Sequence, residues 1–205
     1  ARGLAVVPRG SGSSPFGGSV PVNGGIVMDA GNLDQVLKVD SARKTVQVQG
    51  GCRWADVDHA LSPHGLRIIS CPSSRFSTVA GWISGGGYGV GSLGGGHLSD
   101  IVTSIVMATP GGLITLRPPQ EEFQAVFGSE GQLGVIVEAT LRVKDIDRSS
   151  RPHLLLFREM DEAVEMAERL RRLSPLPEDL IYFSPAKLRY ANRLLHGDHF
   201  GEGHA

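Results

Sequence analysis

An α+β fold is predicted by three features of the 205-residue chain. Short apolar runs alternate with glycine-rich turns through the first 150 residues. Few segments there carry helical spacing. Glycine then all but vanishes, with 25 of the 28 glycines before residue 151 and three after. Many short strands closed by turns, with few helices between them, indicate an α+β domain. The fall in glycine marks a change of domain. Residues 1–143 form the first, the polar stretch 144–152 (KDIDRSSRP) reads as a linker, and 153–205 begin a second.

Leu4–Val7 (LAVV) reads as a buried strand halted by Pro8, and residues 8–19 are too rich in Gly and Ser to be regular. Ile26–Asp29 is a short strand. Thr45–Gln49 alternates apolar and polar, as a half-exposed strand does, and stops at Gly50-Gly51. Trp54–Leu61 is an amphipathic helix with Trp54, Val57 and Leu61 on one face and Gly65 beyond its end. Leu66–Ile69 is a strand. Residues 77–100 are a second glycine-rich stretch. Ile101–Thr109, Pro110-Gly111-Gly112 and Leu113–Leu116 form a hairpin. Glu121–Phe127 is a short helix and Val135–Val143 a strand. After the linker, His153–Phe157 and Leu180–Phe183 read as strands. They alternate with a helix capped by Asp161, carrying Ala163, Val164, Ala167 and Leu170, and with a helix at Pro185–Leu195.

Composition excludes several function classes. Twenty Lys plus Arg nearly balance 21 Asp plus Glu, which argues against binding nucleic acid by neutralising phosphates. No run of 18 apolar residues suggests a membrane span. Cys52 and Cys71 are too few for a disulfide framework or a zinc site, so a reducing, cytoplasmic compartment is the default. The chain begins at an apolar strand without an initiator Met, and truncation at the front is expected.

The glycines carry the chemistry. Arg9-Gly10-Ser11-Gly12-Ser13-Ser14 offers backbone N–H groups that can converge on an anion, three hydroxyl donors and a nearby positive charge. A diphosphate suits it, though flexible surface loops share this composition. In Thr78–Ser92 (TVAGWISGGGYGVGS) apolar residues interrupt the glycines. That pattern suits bare backbone lying against a large planar ligand, or a tightly turned core segment. Residues 89–94 (GVGSLG) match G-x-G-x-x-G formally. The fingerprint needs a following helix, however, and Gly95-Gly96-His97 is a poor helix start. A third glycine turn, Phe127–Gly134, feeds directly into the strand at Val135.

Taken in order, PRGSGSSPFGGSVP, VQGGCRWADVDHALSPHGL, STVAGWISGGGYGVGSLGGGHLSDIV and FGSEGQLGVIVEATLRV resemble the FAD-binding domain of the vanillyl-alcohol oxidase/PCMH superfamily. The nearer likeness is to FAD-linked oxidases of the D-lactate dehydrogenase and glycolate oxidase subunit branch. The resemblance covers most of residues 4–143. It implies a PCMH-type FAD-binding domain followed by the start of a ferredoxin-like α/β cap, with the N-terminal β-α-β and most of the cap missing. An unpaired sheet edge, and hence association or dependence on ligand, is expected.

The resemblance also assigns residues. Arg9, Gly10, Ser11, Gly12, Ser13 and Ser14 match the loop that wraps the FAD pyrophosphate, with Ser19 behind it. Pro72, Thr78, Val79, Gly81, Ser84 and Gly85 match the segment lining pyrophosphate and ribityl chain. Tyr88, Gly89 and Ser92 fall near the isoalloxazine and ribityl. Gly134, Ile136 and Val137 match the strand start at the adenosine end. Relatives that attach flavin covalently use a His where Ser13 stands, or a Cys where Phe76 stands, so FAD is expected to be non-covalent. Cys71 does not align with that Cys and reads as a buried small residue. The usual first glycine of the T-V-G-G motif is Ala80 here.

The activity implied is oxidation of a hydroxylated small molecule, such as a 2-hydroxy acid, by hydride transfer to flavin N5. Catalytic residues in this family usually lie beyond the equivalent of Ala205, and none is assigned. The alternatives are a non-catalytic FAD-binding subunit or fragment within a homo- or hetero-oligomer, and a nucleotide-sugar reductase on the same flavin fold. Four further features complete the reading. His196, Asp198, His199, Glu202 and His204 in the tail could ligate a metal, but a frayed end fits them better and no metal is expected. His97 could donate to the flavin or sit in the core. Glu130 reads as a loop-fixing acceptor, and Glu162, Glu165, Glu168, Arg169 and Arg172 as a solvated helix face.

Overall fold

The computed structural model describes residues 3–197, 199 and 200. The chain divides into two compact units, Ala1–Asp147 and Arg148–Ala205. The first is built on a mixed scaffold of sheet and short helices, as an α+β fold requires.

Its main sheet has the order β3-β4-β8-β6-β7, with β5 pairing separately on β8. The strands are β3 Val36–Asp40, β4 Thr45–Gln49, β5 Leu66–Ile68, β6 Val102–Thr109, β7 Gly112–Leu116 and β8 Val135–Asp145. All neighbours are antiparallel. The central strand β8 is the longest because β4, β5 and β6 all pair with it. Leu66–Ile68 pairs with Val143–Asp145, so residues 144 and 145 are strand and not linker. β3 was not expected. Its apolar residues are broken by Lys38, and a register shift between Val36 and Lys38 hides the period-2 signal. It closes on β4 through a turn in which the Arg43 amide donates to Asp40 Oδ1 at 3.0 Å. That bond, with Lys38 close by, holds the Asp40 carboxyl below its usual value.

Two bulges rephase the core. Between Val106 and Met107 the partners on β8 step from Glu138 to Ile136, leaving Val137 as the extra residue. Thr103 is the extra residue on β6. Burial therefore switches phase, from Ile136 to Ala139, Leu141 and Val143 on β8 and from Val102 to Ile105 and Met107 on β6. The helix α1, Trp54–Leu61, lays Trp54, Val57 and Leu61 into this core, as the i, i+3, i+7 spacing predicts. Phe123 from α5, Glu121–Ala125, fills it from another side.

A second, two-stranded sheet pairs β1, Val6–Arg9, with β2, Ile26–Asp29, in parallel. Parallel strands need a crossover of about a dozen residues or more, and the Gly/Ser loop from Gly10 supplies it without a helix. The expectation of a buried strand stopped by Pro8 is corrected. Leu4 is 60% exposed, and the strand runs through Pro8 because a two-stranded edge tolerates a residue lacking N–H.

The glycine-rich stretch 77–100 holds three short helices: α2 Val79–Gly85, α3 Ser92–Gly95 and α4 Leu98–Ile101. β6 therefore starts at Val102, one residue later than predicted. His97 starts α4 after all. Asp100 Oδ2 accepts from His97 N at 2.9 Å and His97 Nδ1 lies 3.1 Å from Ser99 N, contacts that cap the helix despite the preceding glycines. α3 is a single turn, too short for the helix a dinucleotide fingerprint needs.

In the second unit, α6 spans Met160–Leu170 and α7 Pro185–Leu194. Glu159, not Asp161, caps α6, because Glu159 and Glu162 form a capping box at the required spacing. Its exposed pairs are Glu165–Arg169 and Glu168–Arg171; Arg172 lies past the helix end. His153–Phe157 and Leu180–Phe183 are not strands. A strand exists by pairing, and neither segment meets a partner among the described residues, so Leu154–Leu156 and Ile181–Phe183 remain exposed.

Replacing Phe123, which is fully buried, with Ala should cost about 3–5 kcal/mol. Leu113→Ala, at a site 70% exposed, should stay within about 0.5 kcal/mol. Urea denaturation of the two variants checks both. Burial, with Asp56 and Asp34 nearby, pushes the Cys52 thiol up from 9.0 to about 11. The unfolded chain releases that proton first, so this contribution to stability is lost as pH rises from 9 toward 11. Cys52 and Cys71 should both resist a thiol reagent in the folded chain and react on unfolding.

Candidate functional site

Helix α2 is the point where separate segments meet through their main chains. Thr78 precedes it, and its Oγ1 accepts from Gly81 N at 3.2 Å. The doubled glycine after β4 comes alongside: Ala80 N donates to Gly50 O and Val79 N to Cys52 O, each at 2.9 Å. Gly50 N in turn donates to Val137 O at 2.8 Å, at the bulge of β8. The Arg9 loop arrives on the same helix start. A Cβ on Gly10 would sit 2.2 Å from Thr78 Oγ1. At the other end, Ser84 O accepts from Glu130 N at 2.8 Å, and a Cβ on Gly131 would sit 2.6 Å from Pro8 Cγ. The structure thus gathers the Arg9 loop, residues 78–85 and the Phe127–Gly134 turn in one place.

The predicted site residues do different jobs there. Arg9 folds its guanidinium over its own loop, with Nε 3.1 Å from where a Gly12 Cβ would lie. Ser11 donates to Ser13 Oγ at 3.1 Å, and Ser14 Oγ accepts from Phe16 N at 3.3 Å. All three serines are exposed, while Ser19 and Pro72 are half-buried. Val79 and Ile136 bury their side chains in the core, and Thr78 is buried as a cap. Any contact Val79 or Ile136 makes with a ligand runs through the main chain. Gly134 is required by packing, since a Cβ there would lie 2.6 Å from Ala108 O.

The glycines of 85–91 divide by what lies beside them. A Cβ on Gly89 would come within 2.2 Å of Cys71 O, and one on Gly91 within 2.3 Å of Ile69 O. These two are bare because protein backbone presses on them, across the bridge Cys71↔Val90. Ser92 Oγ fastens the same turn, accepting from Gly89 N at 2.8 Å and lying 2.9 Å from Ser70 Oγ. Gly89 and Ser92, expected near the isoalloxazine and ribityl, are held at this turn by protein atoms. At Gly85 and Gly87, by contrast, a Cβ would meet nothing within 4 Å. Open bare backbone there, an exposed Tyr88 and the donor-rich Arg9 loop are features that suit a flat ring with an anionic tail.

Three readings from sequence change here. Gly50-Gly51 was visible only as a strand stop, although a doubled glycine in that place is also a signal of close approach; a Cβ on Gly51 would lie 1.9 Å from Ala30 O. His97 is half-buried, neither in the core nor free: its ring lies 5.2 Å from Tyr88 and 6.1 Å from Phe127. Glu130 fixes its loop through its backbone amide, at φ +51, and not through the carboxylate. Of the tail residues, Asp198, Glu202 and His204 lie outside the described residues. Among the described ones no three His, Cys, Asp or Glu side chains gather as a metal site. No helix of the described residues is long and apolar enough to cross a membrane.

Comparison with known proteins meets this geometry. The profile of the family described as FAD binding domain matches residues 1–116. The glycolate oxidase subunit GlcD of Bacillus subtilis is 29% identical over 90% of this chain and 41% of its own length. An uncharacterized oxidoreductase, ORF5 in the fasciation locus of Rhodococcoides fascians, is 33% identical over 85% of the chain and 39% of its own length. A solved alkyldihydroxyacetonephosphate synthase superposes with a TM-score of 0.83 at 26% identity, covering 94% of this chain and 41% of that one. The chain therefore spans about two fifths of the length of these relatives. With the family profile covering more than half of its residues, the chain belongs to the FAD binding domain family and carries the PCMH-type flavin fold of FAD-linked oxidoreductases.

Proposed function

We propose that the chain holds FAD non-covalently, through the residues gathered at α2, as the cofactor part of an enzyme that oxidises a hydroxylated carbon of the 2-hydroxy-acid kind. The observation that carries the reading is the division among the glycines. Gly85 and Gly87 have open space where a Cβ would lie, and the Arg9 loop, with Ser11, Ser13 and Ser14 exposed, meets the start of the same helix at Thr78. The Bacillus relative, a glycolate oxidase subunit, supports the substrate class.

Each group has a task in this reading. The Arg9 guanidinium and the hydroxyls of Ser11, Ser13 and Ser14 bind the diphosphate, with Ser19 supporting the loop from behind. Thr78, Gly81, Ser84 and Gly85 line the path toward the ring, with Pro72 and the main chain of Val79 alongside. Tyr88 covers the ring's edge. Gly134 and the main chain of Ile136 and Val137 border the adenosine end. The chemistry FAD supplies when bound is hydride acceptance. Non-covalent binding is supported by side-chain chemistry. Ser13 and Phe76 cannot form the bonds that a His or Cys forms in covalently flavinylated proteins, and both cysteines are buried. The name of the Bacillus relative, a subunit, favours a second reading, in which the chain holds FAD within a multi-component enzyme and substrate is bound by other segments.

FAD titrated into the purified chain should quench flavin fluorescence at saturation and leave all the colour in the supernatant after acid precipitation. Gly85→Ala should leave the fold intact and lower FAD affinity roughly tenfold, by crowding an otherwise open face. Gly89→Ala should instead destabilise the apo chain by about 1–3 kcal/mol, because its Cβ meets Cys71 O. Equal FAD affinity in wild type and Gly85→Ala would remove the ring from this face. Bleaching of the bound flavin near about 450 nm on adding glycolate separates the oxidase from the purely cofactor-holding reading.

A further inference from the structure

His97 stands between two backbone amides. Gly87 N lies 3.2 Å from its Nε2, and Ser99 N lies 3.1 Å from its Nδ1, with Ser99 Oγ 2.9 Å from the same Nδ1. A neutral imidazole has one acceptor nitrogen and one N–H. The two amides therefore compete for a single lone pair, and the tautomer decides which is served.

Counting partners selects the tautomer. With the proton on Nε2, that N–H points at the Gly87 N–H, donor against donor, while Ser99 N–H and Ser99 Oγ share Nδ1. With the proton on Nδ1, Nδ1–H donates to Ser99 Oγ, Nε2 accepts from Gly87 N–H, and the Ser99 amide, which then faces Nδ1–H, is left over. The first arrangement leaves two donors unpaired, Nε2–H and the Gly87 amide; the second leaves one. Gly87 has φ +114 and nothing within 4 Å of a would-be Cβ, and its amide is tied to His97 Nε2. The ring is itself located by an edge-on contact with Tyr88 at 5.2 Å and with Phe127 at 6.1 Å. His97 N–H is tied to Asp100 Oδ2, and Arg142 donates to the Asp100 carbonyl.

We propose that His97, as its Nδ1–H tautomer, is a positioning residue that fixes the Gly85–Tyr88 segment through the Gly87 amide and so sets the face this segment offers to the flavin ring. The proposal rests on the FAD reading for its consequence and on the apo geometry for its mechanism. Protonating the ring removes the acceptor that holds the Gly87 amide. The charged and titratable groups around it are Asp100 on its own turn, Arg142 from β8 acting on the Asp100 carbonyl, and Tyr88 from the glycine loop; Phe127 is neutral.

The test uses the full chain labelled with nitrogen-15. In the apo protein, the imidazole pattern should show the proton on Nδ1, and the Gly87 amide should shift with the His97 titration. His97→Phe, which keeps an aromatic ring but no acceptor, should move the Gly87 amide and weaken FAD binding about tenfold. His97→Gln, whose amide oxygen can accept in the Nε2 position, should recover FAD affinity to within about threefold of wild type. A proton on Nε2, a Gly87 amide indifferent to the titration, or wild-type FAD affinity in His97→Phe would each overturn the proposal. Failure of the wild-type chain to bind any FAD would overturn the cofactor reading instead, while the apo amide titration would still decide the role of His97 at Gly87.

Discussion

Everything at the site depends on main chain approaching main chain at α2. The start of this seven-residue helix is held by the carbonyls of Gly50 and Cys52, and Gly10 abuts it at Thr78; its last turn is held by the Glu130 amide. Side chains at Gly10 or Gly50 would separate those segments by ångströms, since a Cβ would fall 2.2 Å from Thr78 Oγ1 or 2.3 Å from Ile136 O. The glycine excess is thus first a packing requirement. It lets segments as far apart in sequence as Pro8 and Gly131 converge around one short helix, and the bulge at Val137 places on β8 the carbonyl that Gly50 reaches.

Much of the first unit was legible from pattern. Thr45–Gln49 and Trp54–Leu61 carry clean periods of 2 and 3.6, because each buries one face against a single core. The hairpin after Thr109 announces itself by its Pro-Gly-Gly turn. β3 was silent because a polar residue and a register shift break its alternation. The short helices α3 and α4 were silent because glycines within α3 and just before α4 oppose helix formation, and at α4 the His97–Asp100 cap overcomes that bias. The site residues were legible as a set but not in their roles. Composition shows where backbone is bare; it does not show whether protein, as at Gly89 and Gly91, or open space, as at Gly85 and Gly87, lies beyond.

The second unit shows the opposite failure. Its helices α6 and α7 appear where helical spacing and capping residues place them, since a helix satisfies its own hydrogen bonds. Leu154–Leu156 and Ile181–Phe183 have the composition of strands yet are unpaired and exposed among the described residues. Strand composition states a preference for a pleated, half-buried surface, and only neighbouring strands can satisfy it.

Amide hydrogen exchange with and without FAD tests the central claim most directly. Convergence on a cofactor at α2 predicts that FAD slows exchange in three separate stretches together, residues 10–14, 78–88 and 127–134, and leaves the β6–β7 hairpin unchanged. Protection confined to one stretch, or spread over the hairpin, would contradict the account.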